Sequence, residues 1–154
     1  MTDNAIDAVN KLFVEVFNDI VKIEHNALKA AGFTDITTTE AHTVEAIALY
    51  GGKTMSAVAA KLDITVGTLT VSVANLVKKG YVTRSRSVED RRRVILTPTA
   101  KGEALLSAHR QFHIDMARSA VKELSEKETE VFKNSLAKLN RFFTENNKRL
   151  SVQD

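Results

Sequence analysis

The chain has 154 residues and a net charge of +3, with 44% hydrophobic and 27% charged residues, one proline, six glycines and no cysteine. That is enough chain for one domain with its own core, and the composition excludes collagen-like, proline-rich and disordered proteins. Without cysteine, disulfide frameworks, thiol nucleophiles and cysteine-ligated metals all drop out, so any metal must be held by His, Asp or Glu.

Residues Ile6, Val9, Phe13, Val16, Phe17, Ile20, Ile23 and Ala27 recur at three- and four-residue steps, which predicts one long helix ending near Gly32. Thr37-Thr38-Thr39-Glu40 has the spacing of a capping box and opens a second helix from Thr38 to about Tyr50. Gly51-Gly52 ends it. Thr54 then caps a short helix from Met55 to Leu62, and Asp63-Ile64-Thr65 leaves room only for a tight turn before a fourth helix capped by Thr65. There Leu69, Val73, Leu76 and Val77 should face inward, with Lys78-Lys79-Gly80 as a cationic last turn and glycine stop. From Tyr81 the period changes to two. Tyr81 to Arg86 and Arg93 to Leu96 read as strands joined by the polar tip Ser87 to Arg92. Thr97-Pro98 reads as the start of a fifth helix running to about Glu123. Ser125-Glu126-Lys127-Glu128 is a second capping box, after which Val131, Phe132, Leu136, Leu139, Phe142 and Phe143 form a broad apolar face.

Two short helices, a three-residue turn and a basic hairpin make a winged helix-turn-helix in a mainly α chain. In such a unit the N-terminal part of the second helix enters the major groove, here Thr65, Val66, Gly67, Thr68, Thr70 and Val71, with Ser72 following. Lys78 to Arg93 hold seven cations against Glu89 and Asp90, whereas residues 1–40 hold three lysines against seven carboxylates. A hairpin has no packing reason to carry Arg84, Arg86, Arg91, Arg92 and Arg93, while a narrow minor groove and phosphates attract guanidinium groups. The stripes of the first and last helices read as ordinary core and as the seam of a homodimer together, since they lie outside the small central unit with little else to pack against, and a two-fold dimer matches a palindromic operator.

The stretch Ser87 to Gly102 resembles the wing of the MarR family, D-x-R followed by an apolar strand and L-T-x-x-G, with the glycine displaced here to Gly102. Thr54 to Leu62 and Leu76 to Val82 are also similar to that family. The resemblance implies dimerisation helices over 1–36 and 98–154 around a DNA-binding lobe at 37–97. It further implies that Asp90 holds the wing and Arg92 reaches the minor groove. The segments Ile36 to Val44, Val66 to Ser72 and His109 to His113 resemble the FabT branch of the family, repressors of fatty-acid synthesis genes. That likeness implies a co-repressor acyl chain on acyl carrier protein, with His42, His109 and His113 as pocket residues without metal.

His109 and His113, four apart on one helix face, also have a spacing common among zinc ligands. His42 and Glu24 could complete such a set, which resembles the zinc-sensing repressors of the same family. Both readings stand at this point. The chain offers no G-x-S-x-G elbow, phosphate-cradling glycine loop or H-E-x-x-H, so no enzyme is expected. No apolar run approaches a membrane span and the start is acidic, so the expected location is the cytoplasm.

Overall fold

A computed structural model describes residues 3–50, 54–87 and 94–150. In chain order these form α1 (Asp3–Ala30), α2 (Thr38–Tyr50), α3 (Met55–Leu62), α4 (Val66–Lys78), β1 (Val82–Arg86), β2 (Val94–Pro98), α5 (Ala100–Val121) and α6 (Glu126–Leu150). The architecture is mainly α, with one antiparallel hairpin among the described residues, in the register Val82 to Pro98, Arg84 to Leu96 and Arg86 to Val94.

Local chemistry sets the helix ends. Glu40 N–H donates to Thr37 Oγ1 at 3.2 Å while Glu40 Oε2 accepts from Thr37 N–H at 2.9 Å, and Ser125 with Glu128 repeats the exchange. Thr54 and Thr65 cap α3 and α4 by accepting from the amides of Ala57 and Thr68. Asp63, at φ 54° and ψ 45°, makes the left-handed turn between those two helices, and Gly80 at φ 79° turns the chain from α4 into β1.

The chain divides into two compact units, residues 1–113 and 114–154. In the first, Leu28, Ile36, Val44, Ile47, Val58, Leu69, Val73, Leu76, Tyr81, Val82, Leu96 and Leu105 form one buried cluster. Along α1, Ile6, Val9, Phe13, Val16, Phe17 and Ile23 are exposed in the single chain. So are Val131, Phe132, Leu136, Phe142 and Phe143 along α6 in the second unit. No single helix among the described residues is long and apolar enough to cross a membrane.

Several sequence expectations need correction. Val77 is exposed, because the inward arc of α4 is filled by Leu69, Val73 and Leu76. Tyr81 precedes the hairpin, and Pro98 closes β2 opposite Val82. The fifth helix therefore begins at Ala100, with Thr99 supplying the cap: its hydroxyl accepts from Gly102 N–H at 3.1 Å and its carbonyl from Glu103 N–H at 2.8 Å. That helix ends at Val121, slightly before Glu123.

Candidate functional site

With Leu69, Val73 and Leu76 buried, α4 presents Val66, Gly67, Thr68, Thr70 and Val71 on its exposed face, with Ser72 half-buried beside them. Thr65 Oγ1 lies 2.9 Å from Thr68 Oγ1, and Thr70 Oγ1 donates to the Val66 carbonyl at 2.8 Å. Having spent its hydrogen on the helix, Thr70 offers only lone pairs outward, so it can accept from a partner but not donate. Val71 is 65% exposed, an apolar side chain with no packing role in the single chain. In β1, Arg84 and Arg86 are exposed, two residues apart and so on one face of the strand. Asp90, Arg91, Arg92 and Arg93 lie outside the described residues.

A second site gathers residues from three helices. Glu24 of α1 and His109 of α5 are buried, while His42 of α2 and His113 of α5 keep about half-exposed side chains that leave the group open to solvent. Glu24 Oε1 lies 2.5 Å from His109 Nε2, 2.9 Å from His42 Nε2 and 3.6 Å from His113 Nε2, and His113 Nε2 is 3.2 Å from His109 Nε2. All three rings turn Nε2 toward one carboxylate oxygen, which as an acceptor favours hydrogen on the two nitrogens bonded to it, those of His42 and His109, while His113 Nε2 has His109 Nε2 as its hydrogen-bond partner. If those hydrogens move to Nδ1, three lone pairs and a carboxylate converge on one point. The candidate ligand atoms all lie within 4.8 Å of one another. Tetrahedral zinc with N and O ligands needs separations of about 3.3 Å, so to hold an ion the pairs at 2.5 and 2.9 Å would open and the wider ones would close. The structure therefore brings together all four residues singled out from the sequence.

A polar network at the end of α4 was not anticipated. Lys79 Nζ donates to both carboxylate oxygens of Glu40 at 2.7 and 2.8 Å. Burial works to raise the Glu40 pKa, but the hydrogen bonds from Lys79 and Thr37 prevail and hold it below the usual value. The Tyr81 hydroxyl donates to Asp35 Oδ1 at 2.5 Å and Lys101 Nζ to Asp35 Oδ2 at 2.9 Å. Those two bonds, Tyr81 first, lower the Asp35 pKa, while burial and the Asp35 carboxylate raise that of the Tyr81 phenol. Lysines 79 and 101 carry no periodic signal, and their partners lie 39 and 66 residues away.

Comparison with known proteins places residues 34–93 in a match to the MarR family model. The structure is similar to that of Streptococcus pneumoniae FabT in complex with DNA, at 35% identity and TM-score 0.84, covering 91% of this chain and 98% of that one. It is also similar to S. aureus MepR in a complex with DNA, at 25% identity and TM-score 0.66 over 86% of this chain and 94% of that one. MepR bound to ethidium bromide matches at 25% identity and TM-score 0.62, over 85% and 96% of the two chains. A search of curated proteins finds no match.

Proposed function

The chain belongs to the MarR family of winged helix-turn-helix regulators, which are not enzymes, and from that membership we propose that it is a homodimeric repressor binding a palindromic DNA duplex. The observation that carries this reading is the likeness, over 91% of the chain, to FabT, a protein solved on DNA. In this reading Thr65, Gly67, Thr68, Thr70, Val71 and Ser72 enter the major groove. The outward acceptors and the Val71 side chain suit base amino groups and a thymine methyl. Arg84, Arg86, Arg91 and Arg92 belong to the wing, with Asp90 holding its tip. Residues 37–97 are the DNA-binding lobe, and 1–36 with 98–154 supply the dimer. The motif resemblance supports fatty-acid synthesis genes as the target and an acyl chain on acyl carrier protein as co-repressor, with His42, His109 and His113 lining its pocket.

A second reading, zinc as the effector, is favoured by the convergence of Glu24, His42, His109 and His113. There the four side chains would hold the ion and tie α1, α2 and α5 together. The separating experiment is a DNA-binding titration on the protein's own upstream region, with long-chain acyl carrier protein, with zinc, and with a chelator. Tightening by the carrier protein that a chelator leaves intact supports the acyl reading. Tightening by zinc that the chelator and His109→Ala both remove supports the metal. In the same assay Arg92→Ala should weaken binding by roughly 1.5 to 3 kcal/mol, the contribution of a charge-assisted bond in a groove, whereas Lys133→Ala should change little. Lys133 is an exposed cation already paired with Glu130 at 2.7 Å. Equal effects of the two changes would remove the wing from the mechanism.

A further inference from the structure

Three consecutive backbone carbonyls lead from the end of α4 to the start of β1, and all three are held from the beginning of α5. Lys101 Nζ donates to the Lys79 carbonyl at 3.0 Å, the Thr99 hydroxyl to the Gly80 carbonyl at 2.6 Å, and Thr99 N–H to the Tyr81 carbonyl at 3.0 Å. The joint they hold contains Gly80 at positive φ, the most permissive residue between the two elements. Thr99 holds two of the three, and Lys101 links the third to groups outside the joint. Its ammonium also pairs with Asp35, which accepts the Tyr81 hydroxyl, and lies 4.0 Å from the centre of the Tyr81 ring. An ammonium has three hydrogens, and here two go to Asp35 and Lys79 while the charge rests on an aromatic face. The ammonium is thus engaged by groups of its own chain, although the side chain stays 43% exposed.

We propose that Lys101 is a positioning residue for DNA recognition: through Asp35, Tyr81 and the Lys79 carbonyl it sets the angle between α4 and the hairpin, without touching DNA. The proposal rests on the DNA-binding reading above. A protein that reads a site with two elements at once must hold both in the bound geometry, and a loose joint pays its ordering entropy at every binding event. Non-specific attraction to phosphates makes no such demand on geometry.

The test compares two duplexes of equal length and composition, one enriched by the wild-type protein from a random pool and one scrambled. Lys101→Met keeps the aliphatic stem and should weaken binding to the enriched duplex by about tenfold or more, as expected for lost charged hydrogen bonds. Binding to the scrambled duplex should change less than about twofold, with an unaltered salt slope. Lys101→Arg should recover most of the loss. Asp35→Asn is the sharper variant, and it carries the test if Lys101→Met does not fold. Removing a negative charge should on general electrostatic grounds tighten both duplexes, whereas loss of positioning weakens the enriched one alone. Equal weakening of both duplexes by Lys101→Met, with the salt slope reduced by about 0.9, would make Lys101 a phosphate contact and overturn the proposal. A lowered melting temperature with unchanged binding below it would reduce the network to structure, also against the proposal. If the wild type enriches no duplex, the DNA-binding reading itself fails and takes this proposal with it, an outcome distinct from any seen only in the variants.

Discussion

A Cβ built on Gly102 would lie 2.3 Å from the Tyr81 carbonyl oxygen and 3.1 Å from Pro98 Cβ, so the first turn of α5 approaches the Tyr81 backbone closer than any other residue type permits. Backbone and a proline ring cannot swing aside. Gly102→Ala should therefore cost about 3 kcal/mol, at the upper end for overpacking, read as a lower urea midpoint with little change in slope. Gly67 is the opposite case. Its Cβ would meet only Thr65 Oγ1, at 3.6 Å, and its φ is not positive. Gly67→Ala should raise stability by about 0.5 kcal/mol through helix propensity. If Gly67 lies against DNA as proposed, the same change should lower operator affinity, and an alanine that improved both would take this residue out of the interface.

At the scale of elements, the Glu40–Lys79 pair links the first turn of α2 to the end of α4, and it makes stability depend on acid. The Glu40 pKa is lower in the folded chain than unfolded, so as pH falls the unfolded state takes up its proton first. The stabilisation is complete above the ordinary carboxylate range, about pH 4.5, and is lost as pH drops through the lower folded value. Lys79→Met should cost about 1 to 2 kcal/mol at neutral pH, since the pair is only partly buried, and should flatten the acid limb of a stability-against-pH curve. A parallel downward shift of the whole curve would mean that Glu40 is held low by the Thr37 cap alone.

That pair also marks where sequence reading stops. The capping boxes at Thr37 and Ser125, the caps at Thr54 and Thr65, and the inward residues Leu69, Val73 and Leu76 of α4 all rest on residues three or four apart and are legible, whereas Val77 beside them is exposed. The start of α5 is not legible locally, because Pro98 fits a first helical turn as well as the end of an edge strand, and only the pairing with Val82 decides between them. His109 and His113 announced themselves by spacing. Glu24 and His42 came from likeness to other proteins, because no local pattern links positions 18, 67 or 85 residues apart. Asp35, Tyr81 and Lys101 left no trace, since a cation and a phenol that share one distant carboxylate look like any solvated residues until the chain is folded.

For the whole molecule, the decisive feature is the apolar surface that a single chain leaves in water. Phe13, Val16 and Phe17 on α1 and Val131, Leu136, Phe142 and Phe143 on α6 are each more than a third exposed, far more than isolated surface residues would explain. Phe143 is 49% exposed and so has no core role within its own chain. Phe143→Glu should therefore spare the first unit's core while placing a charge in the proposed seam, where it has no partner to offset its desolvation. The expected result is a dimer in the wild type and a monomer in the variant at micromolar concentration by sedimentation, with a melting temperature that rises with protein concentration only in the wild type. DNA binding should change with it. A monomer contacts one half-site, so about half as many phosphates are neutralised and the slope of log affinity against log salt should fall by about half. A variant that stays dimeric would place the seam elsewhere than α6, and one that becomes monomeric yet keeps the full salt slope would show that this chain reaches its DNA without the two-fold partner.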